Sequence, residues 1–237
     1  MHAFSTRLGG VSSGPYAYLN LGRDVGDRVE DVDANYRLFE KACSFPRPVV
    51  ANSQVHGNVV RVVEEGDDLT AKPPGDALVT ALKGVPIGIR TADCLPVLFY
   101  GGDSGVIGAA HCGWRGVVAG AAVKCVEEMK KMGAAPGETI AALGPAISER
   151  NFEVGREVVE RFEQANLLRP GVLAGEKDGK YFISLQRAVR FQLLDCGLSE
   201  ANIDDLDYCT FDNEKLFYSH RRDKGVTGRH ISAICLV

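Results

Sequence analysis

The sequence predicts an α+β fold in a single domain that spans residues 1–237. Apolar residues make up 45% of the chain, enough to build a full hydrophobic core. The strand candidates between residues 49 and 110 follow one another without helical patterns between them, which is typical of mixed or antiparallel sheets. No repeat, low-complexity segment or linker divides the chain, so we expect one folding unit.

The N-terminal segment combines a short strand with a long loop. Residues 2–7 have the pattern of a strand. Residues 8–22 are rich in Gly, Ser, Pro and Asn, and loops of this length in compact domains are usually functional or disordered. This loop carries too many apolar side chains for a disordered linker, namely Tyr16, Tyr18, Leu19 and Leu21. We therefore expect an ordered loop that lines a pocket, with Arg7 and Asn20 at its two ends.

A helix and a hairpin are predicted next. The helix has one apolar face, made by Val29, Val32, Tyr36, Phe39 and Cys43. Asp27 is its predicted N-cap, and two prolines end it. Strands over residues 49–55 and 58–63 would then form a hairpin with His56 at its tip.

Four further strands are predicted in close succession, over residues 76–80, 87–91, 95–100 and 106–110. A Gly-Gly-Asp turn separates the last two, so these are expected to pair as a hairpin. Cys94 precedes the first strand of this pair, and His111 follows the second. In a hairpin the start of one strand lies beside the end of the other. We therefore expect Cys94 and His111 to be neighbours in space.

The remaining elements alternate between helices and strands. A Gly-Trp-Arg-Gly turn leads into a helix predicted over Val117–Met132. A short strand over residues 139–143 follows, and then a helix marked by Val154, Val158 and Phe162. Ser184 is expected to cap a helix that ends near Cys196. The last predicted strands cover residues 216–218 and 231–237.

His56, Cys94 and His111 form a candidate metal site. Two imidazoles and one thiolate suit Zn²⁺, and three protein ligands leave a fourth position for water or substrate. Cu²⁺ is the alternative metal, because it also binds imidazole and thiolate. The chain has 5 histidines, too few for a blue-copper centre plus a trinuclear cluster, so a true multicopper laccase is excluded.

Other interpretations of these residues remain open. Cys94 with His111 also matches the nucleophile and base of a cysteine hydrolase. A fourth protein ligand, Cys112 or His220, would instead close a purely structural zinc site in a non-catalytic binding module. Taken alone, Cys94 and His111 are also compatible with buried structural roles, and His56 with plain solvent exposure at a turn.

Proton transfer and anion binding need further side chains. Asp93, adjacent to the cysteine of the triad, is the candidate proton carrier, and Asp76 is a second candidate or an orienting partner of a ligand histidine. Arg7, Arg115 and Arg229 each lie in a turn or a Gly-rich segment. Because Arg recognises anions bidentately, all three are candidate phosphate or substrate ligands, with Arg115 favoured by its place at a helix start.

Composition limits the partners and the compartment. The net charge of −4 gives no electrostatic reason to expect binding to nucleic acid or to an anionic membrane. The N-terminus has no apolar segment of a secretory signal, and no apolar run reaches the ~18 residues of a membrane span. The 7 cysteines are scattered and form no CxxC pair, which fits a reducing cytoplasm. We expect a cytoplasmic protein that is a monomer or a weak homo-oligomer.

A series of motifs runs nearly end to end along the chain. They are STRLGGVSSGPYAYLNLG (5–22), QVHG (54–57), GDALVT (75–80), TADCLPVL (91–98), AHCGWRG (110–116), LGPAIS (143–148), FEVG (152–155), FYSHRRD (217–223) and TGR (227–229). In content and order they resemble the YfiH-like family, long labelled multicopper polyphenol oxidase (laccase) and now regarded as zinc-dependent purine nucleoside phosphorylases. Cys112 departs from the pattern, because relatives usually have Ala there.

The resemblance implies a four-layer α-β-β-α sandwich with mixed sheets. It implies metal ligands in QVHG, TADC and the AHxGWRG motif, which here are His56, Cys94 and His111. It also implies phosphorolysis of adenosine, inosine and methylthioadenosine, adenosine deamination, and purine nucleoside and phosphate as partners. Within that activity Asn20 is expected to bind base or sugar and Arg115 to bind phosphate. Copper-dependent polyphenol oxidation is the alternative activity.

Overall fold

The computed structural model describes residues 1–237, and its core is built from two stacked sheets with helices on both outer faces. The helices are α1 (Val29–Ala42), α2 (Trp114–Ala119), α3 (Ala121–Lys131), α4 (Arg156–Gln164) and α5 (Leu185–Asp195). The strands are β1 (His2–Phe4), β2 (Val60–Val63), β3 (Ala77–Thr80), β4 (Ile87–Thr91), β5 (Leu95–Tyr100), β6 (Ile107–Cys112), β7 (Ile140–Leu143), β8 (Glu153–Val154), β9 (Leu173–Lys177), β10 (Lys180–Ile183), β11 (Ile203–Asp205) and β12 (His230–Ile234).

The larger sheet has six strands in the order β11-β7-β5-β6-β3-β2. Its outer pairs, β11 with β7 and β2 with β3, are parallel, whereas the three inner pairs are antiparallel. A second sheet of three antiparallel strands has the order β1-β12-β4. A small antiparallel sheet, β8-β10-β9, lies outside these two.

Side-chain alternation along the strands divides the interior into three apolar layers. The layer between the two sheets contains Leu78, Leu98, Ile107 and Ala109 from the larger sheet, and Ile87, Ile89 and Ile234 from the smaller one. The other face of the larger sheet packs on α2, α3, α4 and α5, and forms the largest cluster, of 33 buried residues. The other face of the smaller sheet packs on α1. The order helix, sheet, sheet, helix confirms the predicted α+β sandwich with mixed sheets.

Several predicted elements differ from the structure. The hairpin over 49–55 and 58–63 is wrong, because only Val60–Val63 forms a strand there and it pairs in parallel with β3. The predicted strand over 216–218 is also wrong, since this segment, buried at Phe217 and Tyr218, joins no sheet. The helix predicted over Val117–Met132 is two helices, because Gly120 adopts a φ of 77° and breaks it.

Helix termini follow the prediction in one case and depart from it in another. The Ser184 hydroxyl accepts a hydrogen bond from the backbone N–H of Arg187 and caps α5, as predicted. Asp27 does not cap α1, because the N-cap is Arg28 and no side chain bonds to the helix end. Its carboxylate instead accepts hydrogen bonds from Ser12 and Asn20 in the N-terminal loop.

None of the helices is long and apolar enough to cross a bilayer.

Candidate metal centre

The pairing of β5 with β6 brings Cys94 and His111 together. Leu95 lies opposite Cys112 and Pro96 opposite His111 in this antiparallel ladder, so the residue before β5 lies beside the end of β6. This confirms the proximity predicted from the sequence. His56 joins them from the loop before β2, and the potential ligand atoms of the three residues all lie within 4.8 Å of one another.

Asp76 organises the centre from the position just before β3, the strand that pairs with β6. Its carboxylate Oδ1 lies 2.8 Å from Nδ1 of His111 and accepts the backbone N–H of His56 at 2.9 Å. The other oxygen accepts the N–H groups of Gly57 at 2.7 Å and Val55 at 3.2 Å. One buried carboxylate therefore orients a ligand imidazole and also holds the loop that carries His56, which has a φ of 60°.

Of the two roles that the sequence suggests for Asp76, orientation of a histidine matches this geometry better than proton transfer does. Its side chain is fully buried and both of its oxygens are engaged. Burial raises the pKa of the Asp76 carboxyl, but the hydrogen bonds from His111, Gly57 and Val55 outweigh burial and leave the pKa below its usual value. The group therefore stays ionised and holds the proton of His111 on Nδ1, which leaves the Nε2 lone pair free to bind a metal.

The electrostatics favour a thiolate at Cys94. Burial raises the pKa of this thiol, but the adjacent His111 and His56 imidazoles outweigh burial and lower its pKa to about 6. In the same way burial lowers the pKa of His111, whereas the Cys94 thiolate and Asp76 raise it above the usual range. Without metal the pair is thus a thiolate next to an imidazolium, and the thiolate is the form that binds metal.

Gly113 keeps the space between the ligands open. A Cβ at this position would lie 2.9 Å from Sγ of Cys94, 3.2 Å from Cδ2 of His56 and 3.7 Å from Nε2 of His111. Any larger residue would therefore fill the point on which the three side chains converge. Two imidazoles, one thiolate, an oriented ligand histidine and an open centre fit a borderline-soft divalent metal such as zinc.

The structure separates Cys112 from this centre. Cys112 lies one position after His111 on β6, so its side chain points to the opposite face of the sheet, into the helix-covered core. Burial raises the pKa of this thiol far above its usual value, which makes it inert. His220 lines the neighbouring cavity but does not belong to the cluster of ligand atoms. Neither residue therefore acts as the fourth ligand considered from the sequence.

The three ligand residues open into a cavity of about 410 Å³, a size typical of small-molecule sites. It lies where the chain crosses from β4 in the smaller sheet to β5 in the larger one, through residues 92–94. Its lining consists of Gly22, Arg23, Asp24, Val25, Ser53, Gln54, His56, Arg90, Thr91, Ala92, Asp93, Cys94, His111, Ile147, Phe152, His220, Arg221 and Arg229. The lining therefore includes 4 arginines against 2 aspartates, so this is an anion-attracting site.

Comparisons with known proteins place this architecture in a family. A model described as multi-copper polyphenol oxidoreductase laccase matches residues 1–237. The chain belongs to this family. It is 41% identical to "Purine nucleoside phosphorylase" of Deinococcus radiodurans, over 99% of this chain and 88% of that protein. It is 36% identical to "Adenosine deaminase RL5" from an unknown prokaryotic organism, over 99% and 93% of the two chains.

Among solved structures, the fold is similar to that of Bacillus licheniformis hypothetical protein YfiH. The TM-score is 0.94 at 30% identity, and the match covers 100% of this chain and 92% of that chain. The resemblance to the YfiH-like family seen in the sequence motifs is therefore confirmed. The laccase name of the family model does not fit the metal content that this chain supports, because its 5 histidines are too few for a multicopper centre.

Two residues predicted to work beside the metal do line the cavity. Asp93 has a φ of 88°. Its carboxylate accepts hydrogen bonds from the Thr210 hydroxyl and from the backbone N–H of Arg221, both at 2.7 Å. Arg229 donates to the carbonyl groups of Thr227 and Gly228 at 2.9 Å. Burial lowers the pKa of Arg229, while the nearby charges of Cys94 and Asp93 act in the opposite direction.

Three other predicted site residues lie outside the lining. Asn20 is fully buried, and its amide bonds to Gly22, Asp27 and the Arg229 N–H, so it braces the loop that precedes the cavity. Arg7 stacks over the Tyr218 ring at 4.6 Å. Arg115 is exposed and stacks over Trp114 at 4.2 Å. Direct substrate contact by these three residues is not supported by the structure.

Sequence reasoning gave no role to several residues that line the cavity, among them Arg90, Arg221, Ile147 and Phe152. Arg221 and Phe152 occur within the FYSHRRD and FEVG motifs, so the motifs themselves carried a signal that could have found them. Arg90 is a single charged residue at the end of an apolar strand, next to the TADC motif. A lone arginine that interrupts a buried strand is a usable signal, because an unpaired buried charge is costly.

Proposed function

We propose that this protein catalyses phosphorolysis of purine nucleosides, with a zinc ion held by His56, Cys94 and His111. One observation carries the proposal: the three ligand residues open directly into a cavity of about 410 Å³ whose lining has a cationic excess. A nucleoside phosphorylase needs room for base and ribose, an anion site, and a group that stabilises developing charge. The names of the relatives support the same activity.

Zinc is favoured over copper by the donor set. Two imidazoles and one thiolate with no fourth protein ligand form the arrangement of a catalytic zinc site. When bound there, the metal supplies Lewis-acid stabilisation of a negatively charged oxygen. The protein orients the ligands through Asp76 and keeps the space open at Gly113.

Arg229 is the proposed phosphate ligand. Nη1 of its guanidinium donates to two backbone carbonyl groups, which leaves the other N–H groups of the side chain available to an anion. The charges of Cys94 and Asp93 act on this guanidinium from nearby. A phosphate held there attacks C1′ of the ribose through one oxygen. The C1′–N9 bond breaks, and the base leaves with that electron pair and takes up, at a ring nitrogen, the proton that the attacking hydrogen phosphate gives up. The products are ribose 1-phosphate and the free base.

Arg221 and Phe152 form the proposed base-binding wall. The Arg221 guanidinium lies 5.5 Å from the centre of the Phe152 ring and donates to the Glu153 carbonyl at 2.8 Å. Together with Ile147, these side chains offer a flat, mostly apolar surface to a purine. Asp93 holds this wall in place through the Arg221 N–H. Because its carboxylate already accepts two hydrogen bonds, we assign Asp93 to positioning and not to the proton transfer expected from the sequence.

Adenosine deamination is a second proposed activity, favoured by the relative named for it. In that reaction water adds to C6 of the purine, the C6–N bond breaks and ammonia leaves. The products are inosine and ammonia, with no use of phosphate. The same cavity and donor set would serve both reactions, so product analysis with and without phosphate separates them.

Two rival activities remain to be separated by experiment. The Cys94 thiolate next to the His111 imidazolium also matches a cysteine hydrolase, whose activity would survive chelation and be lost on alkylation. Copper-dependent phenol oxidation would require added copper. We expect the opposite pattern: loss of nucleoside turnover on chelation and recovery with zinc.

The decisive experiment is product identification by mass spectrometry. Zinc-loaded protein is incubated with adenosine, inosine and methylthioadenosine, with and without phosphate. Cys94→Ser is compared with Cys112→Ala, a control substitution of the cysteine one strand position beyond His111, which lies outside the metal centre. We expect phosphate-dependent release of free base and the 1-phosphorylated sugar, lost in Cys94→Ser and retained in Cys112→Ala. Phenol oxidation with copper and no turnover of any nucleoside would refute the proposal.

A further inference from the structure

The cavity holds more cationic capacity than one inorganic phosphate requires. Arg90, Arg221 and Arg229 all line it, and none of the three forms an ion pair with a carboxylate. Each is instead held by backbone carbonyl groups, which fix the side chain without neutralising its charge. Arg221 is assigned to the base-binding wall and Arg229 to the attacking phosphate, so Arg90 is the guanidinium that phosphorolysis of an uncharged nucleoside leaves without a ligand.

Arg90 is held by residues that do not belong to the metal centre. One of its Nη atoms donates to the Asn52 carbonyl at 2.9 Å. Gln54 fixes the Arg90 backbone by accepting its N–H and donating to its carbonyl, both at 2.8 Å. Arg23 also lines the cavity, but its charge is paired with Asp33. Arg90 is therefore a pre-positioned and uncompensated cation.

The local field around Arg90 is positive. Burial lowers the pKa of the neighbouring Lys72 amine, and the charges of Arg23 and Arg90 lower it further. Asp24 and Asp33 act in the opposite direction but do not cancel this effect. A region that disfavours an additional cation favours an anion, and the effect is strengthened by partial exclusion of water.

We infer that Arg90 forms a second anion subsite, and that the cavity accepts purine nucleosides which carry their own phosphate, namely nucleoside 5′-monophosphates. The inference rests on the proposed function for the placement of the nucleoside. Arg229, beside the metal ligands, holds the attacking phosphate. Arg90 holds the 5′-phosphate. This gives Arg90 a ligand that phosphorolysis of an uncharged nucleoside does not supply.

Binding of IMP and inosine by calorimetry tests this directly, because a hypoxanthine base has no amino group to lose. Zinc-loaded protein is titrated with each ligand in the presence of inorganic sulfate, which fills the Arg229 subsite as phosphate would but does not cleave the nucleoside. We expect IMP to bind on the order of tenfold more tightly than inosine, the effect of one charge-assisted contact. The difference should shrink at high salt. Equal affinities, or an IMP advantage that disappears when the sulfate is added, would overturn the inference.

Variants of Arg90 identify the subsite. Arg90→Gln should remove the IMP advantage and leave inosine affinity unchanged, while Arg90→Lys should retain part of it. Arg47→Gln is the matched control, because Arg47 is exposed, makes no ion pair and lies outside the cavity. An unchanged IMP advantage in Arg90→Gln would refute the assignment. Because sulfate replaces phosphate and binding is measured without turnover, an Arg90-dependent IMP advantage stands even if no nucleoside is phosphorolysed, and the two proposals fail separately.

Discussion

Replacing Asp76 with Asn tests whether this carboxylate sets up the metal centre. The substitution keeps the shape of the side chain but replaces one oxygen by an NH₂ group. That group would face donors, because the Asp76 oxygens accept from three backbone N–H groups and from Nδ1 of His111. An amide that donates to Nδ1 moves the imidazole proton to Nε2, where it blocks metal binding.

The expected magnitude follows from these contacts. Loss of an orienting partner of a ligand histidine typically lowers metal affinity about 10- to 100-fold. One buried N–H left without an acceptor costs about 1–3 kcal/mol. For a chain of this size, 1 kcal/mol corresponds to roughly 2–4 °C in melting temperature. Asp76→Asn should therefore melt several degrees below wild type even without metal, since the loop that carries His56 loses its anchor.

Two measurements check this prediction. Zinc affinity is determined by competition with a chromophoric chelator, and the melting temperature of the metal-free protein by calorimetry. Asp103→Asn is the matched control, because Asp103 is exposed in the turn between β5 and β6 and carries the same substitution. Wild-type zinc affinity and an unchanged melting temperature in Asp76→Asn would show that the carboxylate does not organise the centre.

Two further predictions concern the same centre. In metal-free protein, alkylation of Cys94 by iodoacetamide should rise with pH around a midpoint near its pKa of about 6. The thiolate, present above that pKa, is the reactive form, and a midpoint at pH 8 or above would contradict the thiolate–imidazolium pair. Gly113→Ala should abolish zinc binding with little loss of stability, because the new methyl group lies 2.9 Å from Sγ of Cys94. Gly175→Ala, in open space, should bind zinc normally, and full zinc occupancy in Gly113→Ala would refute the stated geometry.

The sequence predicts the part of the site that depends on local pairing. Cys94 and His111 flank two strands joined by a short turn, so their proximity follows from the hairpin alone. His56 was identified correctly as a neighbour, but on the basis of a hairpin that does not exist. Its position comes from the Asp76 carboxylate, which accepts three successive N–H groups of the loop, and such a contact leaves no periodic pattern in the sequence.

The parts that sequence reasoning missed depend on long-range packing. Arg90 and Arg221 reach one cavity only because the two sheets and the loop after residue 218 meet there. The apolar segment at 216–218 resembles a strand, yet Tyr218 is buried with its N–H bonded to the His230 ring. An apolar run indicates that a segment is buried, but it does not show which groups form the hydrogen bonds of its backbone.

The proposed metal ligands and the rest of the cavity lining lie on different kinds of backbone. Cys94 and His111 sit at the ends of strands whose register is fixed by the central sheet. Much of the cavity wall comes instead from connecting segments around residues 22–25, 147–152 and 220–221. Insertions and substitutions are tolerated in such segments but not in a central ladder. Substitutions can therefore change the shape of the cavity in this fold without disturbing the strand ends that bring Cys94 and His111 together.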